Sequence, residues 1–191
     1  TNTMITLKKF TFNPFQVNSY LISDETGECI IIDPAMDGSI EEAEIAEYIK
    51  IHNLTPVMLL LTHAHVDHIG GTNFMVEKYG LKLTAHRDSV PFLTNASAYA
   101  STFGLSIDSR MEIQNFIDEN NEVKFGNSVL KVLFTPGHAN GSLCFYSPES
   151  NFVITGDVLF NQSIGRTDLP TGNYDLLQNS IWEKLFTLPD D

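Results

Sequence analysis

The sequence has few of the features that stabilise small secreted proteins or anchor proteins in membranes. It contains only two cysteines, Cys29 and Cys144, each inside an apolar run and without C-x-x-C spacing. A disulfide framework is therefore not expected, and both thiols should be buried in a reducing compartment. No apolar run approaches the roughly 20 residues of a membrane span, and the N-terminus shows no apolar signal segment. We expect a cytoplasmic protein that has no membrane partner.

Basic residues are also scarce. The 191 residues include 11 lysines and arginines against 24 aspartates and glutamates, which gives a formal net charge of −13, and no basic cluster stands out. Such a surface repels phosphate backbones and anionic lipid head groups. Nucleic acid is therefore not an expected partner. The composition leaves the oligomeric state open.

Length and hydrophobic pattern indicate a single domain over residues 1–191, with residues 1–3 preceding a natural start at Met4. Strand and helix patterns alternate in the first half, and the second half is richer in strands. We expect two packed sheets with helices outside. The predicted elements are strands at 4–13, 16–23, 28–33, 56–62, 81–86, 122–125, 128–135, 142–147 and 151–156, and helices at 37–52, near 72–79 and at 174–188, with 87–120 interpreted as a helical insertion.

Titratable side chains are concentrated in the segment "LLLTHAHVDHIGG", residues 59–71, which follows a buried strand pattern. In an extended segment alternate side chains share a face, so His63, His65 and Asp67 can converge. A turn into a helix near Gly70 would bring His68 toward the same space. Imidazole and carboxylate groups are suitable ligands for zinc, iron or manganese. The segment therefore predicts a metal site.

Two further strand ends carry similar residues. His138 lies in "LFTPGHANGS" and Asp157 in "VITGDVLF". Taken alone, each is more simply interpreted as a turn residue. Together with the first cluster, both are candidate metal ligands.

Four motifs in order, "THAHVDH", "TPGHANGS", "GDVLF" and "SIGRTDLPTG", resemble those of the metallo-beta-lactamase superfamily. The resemblance runs from Met4 to the end of the chain and is strongest to the glyoxalase II-like (hydroxyacylglutathione hydrolase-like) branch. It implies a four-layer αββα sandwich with a metal site at one edge of the two sheets. It also implies a small-molecule acyl or thioester substrate, cleaved by a metal-bound hydroxide that two metals can generate near neutral pH.

The resemblance also assigns residues to the metals, with two zinc ions expected and iron or manganese as alternatives. It implies that His63, His65 and His138 hold one metal, that Asp67 and His68 hold a second, and that Asp157 bridges them. Asp67 and Asp157 are the residues that it implies for catalysis. A last ligand of the second metal is expected from a "GHG"-type turn beyond Asp191, so the resemblance predicts a complete first site, an open second site and an incomplete C-terminal end.

Other residues have competing interpretations. Asp33 matches a position that supports the metal-binding loop, although an Asp-Pro turn explains it equally well. Arg166 and Asp168 are better explained as a structural ion pair than as catalytic groups. The simplest interpretation of His86 is a hydrogen-bonded residue without a catalytic role, and His52 has no predicted function. The aromatic residues of 92–116 are interpreted as core more readily than as a substrate platform.

Two other functions compete with the metal-dependent hydrolase. The first is an iron-dependent persulfide dioxygenase, because histidine and carboxylate ligands with open positions also suit iron and oxygen chemistry. The second is a non-catalytic domain that a metal stabilises, which is favoured only by the missing last ligand.

Overall fold

The computed structural model describes residues 4–105, 107, 111–160 and 162–189. Its strands form a six-stranded sheet, a four-stranded sheet and a short two-stranded ribbon. The six-stranded sheet contains β1 (Thr6–Phe12), β2 (Val17–Ser23), β3 (Glu28–Ile32), β4 (Thr55–Leu60), β5 (Leu83–Ala85) and β6 (Asn115–Phe116). The four-stranded sheet contains β7 (Glu122–Phe125), β8 (Ser128–Phe134), β9 (Leu143–Ser147) and β10 (Phe152–Ile154), and the ribbon pairs β11 (Leu159–Phe160) with β12 (Ser163–Ile164).

Strand order in the six-stranded sheet follows the sequence, from β1 to β6. The first three strands form an antiparallel meander, while β3 to β6 run parallel to one another. Parallel neighbours need crossover connections, which the helices supply. The helices are α1 (Ser39–Ile51), α2 (Thr72–Tyr79), α3 (Val90–Thr94), α4 (Ala96–Thr102) and α5 (Tyr174–Ser180), which continues as a π-helical turn over Ile181–Leu185.

Three apolar clusters define the layers. The cluster between the sheets joins residues such as Ile30 and Leu60 to Val132 and Phe145, so the two sheets pack against each other. A second cluster covers the outer face of the six-stranded sheet with α1 and α2, and a third packs α5 on the four-stranded sheet. This arrangement is the predicted αββα sandwich.

Helix α1 shows why the sequence folds in this way. Ile45 and Ile49, one turn apart, are the residues it buries against the sheet. Glu41 and Glu42 lie in its first turn, where the partial positive charge of the helix terminus stabilises carboxylates. The predicted helix over 37–52 therefore agrees with the structure to within two residues at each end.

The segment predicted as a helical insertion is partly helical. It contains α3 and α4, but also β6, which extends the six-stranded sheet and was not predicted. The ribbon of β11 and β12 was not predicted either. Part of this segment, at 106 and 108–110, lies outside the described residues.

The two cysteines are free and buried, in agreement with the prediction. Burial raises the pKa of each thiol to about 12. Among the described residues, no helix combines the length and the apolar character that crossing a bilayer would require.

Candidate metal centre

The candidate ligands meet beyond the ends of β4, β8 and β10. The loop after β4 carries His63 and His65, and a 3-10 turn over Val66–His68 then reverses the chain. The backbone N–H of His68 donates to the carbonyl of His65, with an N to O distance of 2.9 Å. This turn brings the imidazole of His68 back beside that of His63, with ring centroids 4.2 Å apart.

His138 and Asp157 reach the same place from the second sheet. His138 follows Gly137, whose φ of 129° suits glycine; a Cβ there would lie 2.1 Å from the backbone nitrogen of Leu177. Gly165 lies as tightly against the loop of Asp157, since a Cβ at this glycine would lie 1.8 Å from the Asp157 carbonyl oxygen. Both glycines therefore let backbone segments approach closely behind the candidate ligands.

The structure places the candidate ligands in three overlapping groups. In each group, one ligand atom from every residue lies within 4.8 Å of the others. The groups are His63, His65 and His138; Asp33, His63 and His68; and Asp67, His68 and Asp157. All six residues predicted as ligands are thus together. Their binding of metal remains a prediction.

The carboxylate of Asp157 lies between the groups. Its Oδ2 is 3.0 Å from Nε2 of His68, 3.4 Å from Nε2 of His138 and 3.6 Å from Nε2 of His63. One oxygen atom is therefore close to imidazoles of both predicted metal sites, as a bridging ligand would be.

Hydrogen bonds fix which nitrogen of His63 faces this space. Thr62 Oγ donates its single hydrogen to Asp33 Oδ2 at 2.5 Å, so it can only accept from His63 Nδ1, at 3.0 Å. The hydrogen of a neutral His63 then lies on Nδ1, and Nε2 carries a lone pair. His138 has the same arrangement, because its Nδ1 lies 2.8 Å from the carbonyl oxygen of Arg166 and must donate to it.

The Nε2 atoms of His63 and His138 are buried and have no hydrogen-bond partner among the residues that the structure describes. Buried lone pairs without a partner are costly, and a cation bound between them would satisfy both. This geometry and the nitrogen and oxygen donor set fit a metal ion such as zinc or iron.

The pKa values of His63 and His65 also favour neutral imidazole rings. Burial, reinforced by the neighbouring imidazoles, lowers the pKa of His63 well below its usual value. Burial likewise lowers the pKa of His65 to about 3. Both rings are therefore neutral at pH 7, which is the form that binds metals.

His68 has the opposite shift. Burial acts to lower its pKa, but the carboxylates of Asp157 and Asp33 outweigh burial and raise that pKa well above its usual value. Burial acts to raise the pKa of Asp157, and His68 with the other histidines lowers it below the usual range. Two carboxylates on either side of one imidazole require a positive charge there, which a proton or a metal ion can supply.

Asp33 occupies the centre of the supporting network. Its Oδ1 accepts from the backbone N–H of Thr62 at 2.7 Å, and its Oδ2 accepts from His68 Nδ1 at 3.0 Å. Asp33 is 1% exposed and has a φ of 55°. It therefore supports the loop of candidate ligands, which is the first of its two interpretations.

Two supporting residues were not predicted. Thr62 orients His63, and Asn13 holds the loop from the other side: its Nδ2 donates to the carbonyl oxygens of Asp67 at 2.7 Å and Ala35 at 3.1 Å. Thr62 is the first residue of the motif "THAHVDH", which was a usable signal. Asn13 lies 54 residues before Asp67, and the sequence around Asn13 indicates only a turn.

The remaining candidates lie outside the three groups. Arg166 and Asp168 form the predicted ion pair, with Nε to Oδ1 at 2.7 Å and Nη2 to Oδ2 at 2.6 Å. Hydrogen bonding to Arg166 lowers the pKa of Asp168 to about 2. His86 stacks on Phe134 with centroids 4.7 Å apart, and its Nδ1 accepts from the backbone N–H of Asp88.

A cavity of about 400 Å³ opens directly over the candidate ligands. His65, Asp67, His138 and Asp157 form its floor. Phe92, predicted as core, is buried but also lines the cavity, together with the half-exposed Tyr99 and Phe103. A small molecule in this cavity would contact the candidate ligands.

Comparison with known proteins identifies the family. The family model of the metallo-beta-lactamase superfamily matches residues 12–191. The chain belongs to the metallo-beta-lactamase superfamily. The probable metallo-hydrolase YqgX of Bacillus subtilis (strain 168) is 40% identical over 186 residues, which cover 96% of this chain and 85% of YqgX. Hydroxyacylglutathione hydrolase GloC of Haemophilus influenzae (strain ATCC 51907 / DSM 11121 / KW20 / Rd) is 35% identical over 179 residues, covering 93% and 82%.

The solved structures support the same fold. TTHA1623 in a di-iron-bound form has a TM-score of 0.83 and 33% identity, over 95% of this chain and 87% of that structure. These matches confirm the metallo-beta-lactamase fold and place the chain among the metal-dependent hydrolases of the superfamily. Because TTHA1623 was solved with two iron ions bound, the matches leave the choice between zinc and iron open.

Proposed function

We propose that this member of the metallo-beta-lactamase superfamily is a zinc-dependent thioesterase that acts on a small acyl thioester in the cytoplasm. The proposal rests on the Nε2 atoms of His63 and His138, which have no hydrogen-bond partner within the described part of the chain. Both atoms face the Asp157 carboxylate beneath an open cavity. The name of the relative GloC, a hydroxyacylglutathione hydrolase, supports a thioester as the substrate. The two buried free thiols support a reducing compartment.

The proposed ligand set follows the three groups. His63, His65 and His138 would hold one zinc ion, and Asp67 with His68 would hold a second, with Asp157 shared between them. Bound zinc supplies a Lewis acid for the carbonyl oxygen and a hydroxide at neutral pH.

The residues of the chain perform the remaining tasks. Asp33 and Thr62 fix the ring orientations of His68 and His63, so that the ligand atoms are in place before the substrate arrives. The cavity would hold the substrate against its floor, next to the candidate ligands. The carboxyl group of Asp67 lies on that floor and is placed to take up a proton released in the reaction.

Neither cysteine is placed to act as the nucleophile. Both cysteines are buried, and neither lines the cavity over the candidate ligands. Their raised pKa values also disfavour a thiolate at neutral pH.

The partners follow from the same observations. The cavity suits a small molecule, and the net charge of −13 opposes binding to nucleic acid or to an anionic membrane surface.

The test is thioester cleavage by protein stripped of metal and reloaded with zinc, using S-lactoylglutathione and S-acetyl-N-acetylcysteamine. We expect cleavage only after reloading, and its loss in His138→Ala. His52→Ala removes a histidine that stacks on Tyr48 outside the cavity, so it should keep full activity and serves as the matched control. Reloaded protein that cleaves neither compound would contradict the proposal.

The second candidate is an iron-dependent persulfide dioxygenase. The di-iron-bound form of TTHA1623 favours iron as the metal. Loading the protein with iron and following oxygen consumption with glutathione persulfide distinguishes this function, because a thioesterase consumes no oxygen. A folded, metal-bound protein that shows neither activity would instead be the non-catalytic domain.

A further inference from the structure

We infer that the cavity selects a substrate with an uncharged, apolar group next to the scissile carbonyl, in preference to one with an anionic group such as glutathione. This inference rests on the proposed thioesterase function. In a thioester, this apolar group is part of either the acyl half or the thiol half of the substrate, since both halves adjoin the carbonyl.

Part of the cavity wall is formed by the aromatic rings of Phe15 and Phe103. Phe15, from the turn between β1 and β2, meets Phe103 at the end of α4 edge to face, with centroids 6.0 Å apart. Phe15 is 48% exposed and Phe103 is 41% exposed, so both rings have free apolar surface. Exposed aromatic rings that line a concave site bind apolar groups well, because they are large and lose little conformational freedom.

A third aromatic residue of the same cavity contacts a candidate metal ligand. The ring of Phe92 packs against the imidazole of His65 edge to face, with centroids 5.3 Å apart. Both side chains line the cavity. An apolar group on the wall would therefore hold an attached carbonyl near the floor of candidate ligands.

The position of Phe15 is fixed by the same residue that holds the loop of Asp67. The backbone N–H of Phe15 donates to Asn13 Oδ1 at 2.8 Å, while Asn13 Nδ2 donates to the Asp67 carbonyl oxygen. The wall and the floor thus share one anchor, and Phe15 does not depend on a free loop for its placement.

An anionic group has little to bind in this cavity. Among the described residues that line it, Arg166 is the one permanent cation, and its Nε and Nη2 already donate to the Asp168 carboxylate. The chain as a whole is strongly acidic, with a formal net charge of −13. This field repels anionic substrates and leaves apolar contact as the main source of binding energy.

The experiment compares matched thioesters on the zinc-loaded protein. In one arm the thiol is N-acetylcysteamine and the acyl group is acetyl, succinyl or phenylacetyl. In the other arm the acyl group is acetyl and the thiol is N-acetylcysteamine, glutathione or benzyl mercaptan. We expect kcat/KM to be about tenfold or more higher for the phenylacetyl or the benzyl compound than for the corresponding anionic one. The arm that shows the effect identifies which part of the substrate the wall contacts.

Substitutions of Phe15 and Phe103 test whether the aromatic wall causes the preference for apolar compounds. Phe103→Ala and Phe15→Ala should each lower the preference for the apolar compound about tenfold, because each removes one ring of the pair. Trp182 and Phe186 form another exposed edge-to-face pair, with centroids 5.0 Å apart, on the C-terminal helix and outside the cavity lining. Phe186→Ala is therefore the matched control and should leave the preference unchanged.

Binding of compounds that cannot be hydrolysed tests the preference for apolar groups independently of thioester cleavage. N-acetylcysteamine thioethers that carry a phenethyl or a carboxyethyl group cannot be hydrolysed, and calorimetry measures their affinity directly. One outcome is that no thioester is cleaved, that the phenethyl compound still binds at least tenfold more tightly than the carboxyethyl compound, and that Phe103→Ala removes this difference. The thioesterase proposal then fails, while the selection of apolar groups by the aromatic wall is supported. Cleavage or binding that favours the anionic compounds would overturn the inference, as would a preference that Phe103→Ala and Phe15→Ala leave intact.

Discussion

Asp33 Oδ2 lies 3.0 Å from Nδ1 of His68, although the two residues are 35 positions apart. The carboxylate also holds Thr62, which in turn orients His63. One buried carboxylate thus controls the ring orientation of a histidine in each proposed metal site. A loss of Asp33 should therefore weaken the binding of metal at both sites.

Asp33→Asn tests this relationship. Asparagine tolerates the φ of 55°, but its amide nitrogen cannot accept the hydrogen bonds that one carboxylate oxygen now accepts. We expect zinc affinity to fall about 10- to 100-fold, as it does when partners of metal-ligating histidines are removed. Asp37→Asn, at an exposed position four residues later, is the control. Equal zinc affinity in the wild type and in Asp33→Asn would show that Asp33 is only a turn residue.

Asn13→Asp tests the anchor on the other side of the loop. The substitution keeps a residue that accepts a φ of 56°, but it places a carboxylate against the carbonyl oxygens of Asp67 and Ala35. The loop should shift, so we expect weaker zinc binding and slower thioester cleavage. Asn53→Asp makes the same change at an exposed residue with a φ of 53° and should alter neither measurement. Unchanged metal binding in Asn13→Asp would rule out a positioning role.

Asp157→Ala removes the carboxylate that lies between the two groups of histidines. We expect cleavage to be lost while the fold, followed by circular dichroism, persists, because the side chain touches the site more than the core. The bound metal should fall with activity. Asp175→Ala, in the exposed first turn of α5, provides the comparison. Near-normal turnover in Asp157→Ala would mean that this residue is only part of a turn.

Asp24 joins the two sheets at a site distinct from the candidate ligands. Its carboxylate accepts from the backbone N–H of Asn127 at 2.8 Å, from Ser128 Oγ at 2.7 Å and from Thr26 Oγ at 2.5 Å. Burial acts to raise the pKa of Asp24, but these hydrogen bonds outweigh burial and lower the pKa below its usual value. The stabilisation is then complete above the unfolded pKa of about 3.9 and is lost as pH falls through the lower folded pKa.

Asp24→Asn should therefore destabilise the protein by about 1.5–3 kcal/mol at pH 7. The difference from the wild type should shrink once the pH falls below about 4, since Asp24 then becomes protonated in the unfolded wild type while it is still ionised in the folded protein. Urea unfolding of both metal-stripped proteins at several pH values measures this. A difference that stays constant across the acid range would show that the charge of Asp24 does not contribute.

The long elements of the fold could be predicted because their hydrophobic patterns are local. Helix α1 buries residues one turn apart, β1 buries alternate residues, and β2 to β4 contain runs of consecutive buried residues. These apolar patterns are visible in the sequence. The strands β6, β11 and β12 contain two residues each, too few for a pattern. They form because neighbouring backbone is already in place to pair with them.

The candidate site also contains residues that could be predicted from the sequence and residues that could not. His63, His65, Asp67 and His68 are close in the sequence, and the family motifs point to His138 and Asp157. Asn13 and Phe15 could not be found, because their roles depend on contacts with residues more than 50 positions away. The ion pair of Arg166 and Asp168 was predictable because the two residues are only two positions apart.

The proposed metal centre is tested most directly by titrating zinc into metal-stripped protein while bound zinc and thioester cleavage are followed together. We expect no cleavage without metal, a rise in cleavage that follows the bound zinc, and the loss of tight binding when His63 and His138 are both replaced by alanine. Cleavage at the full rate by metal-free protein, or tight zinc binding that survives the double replacement, would contradict it.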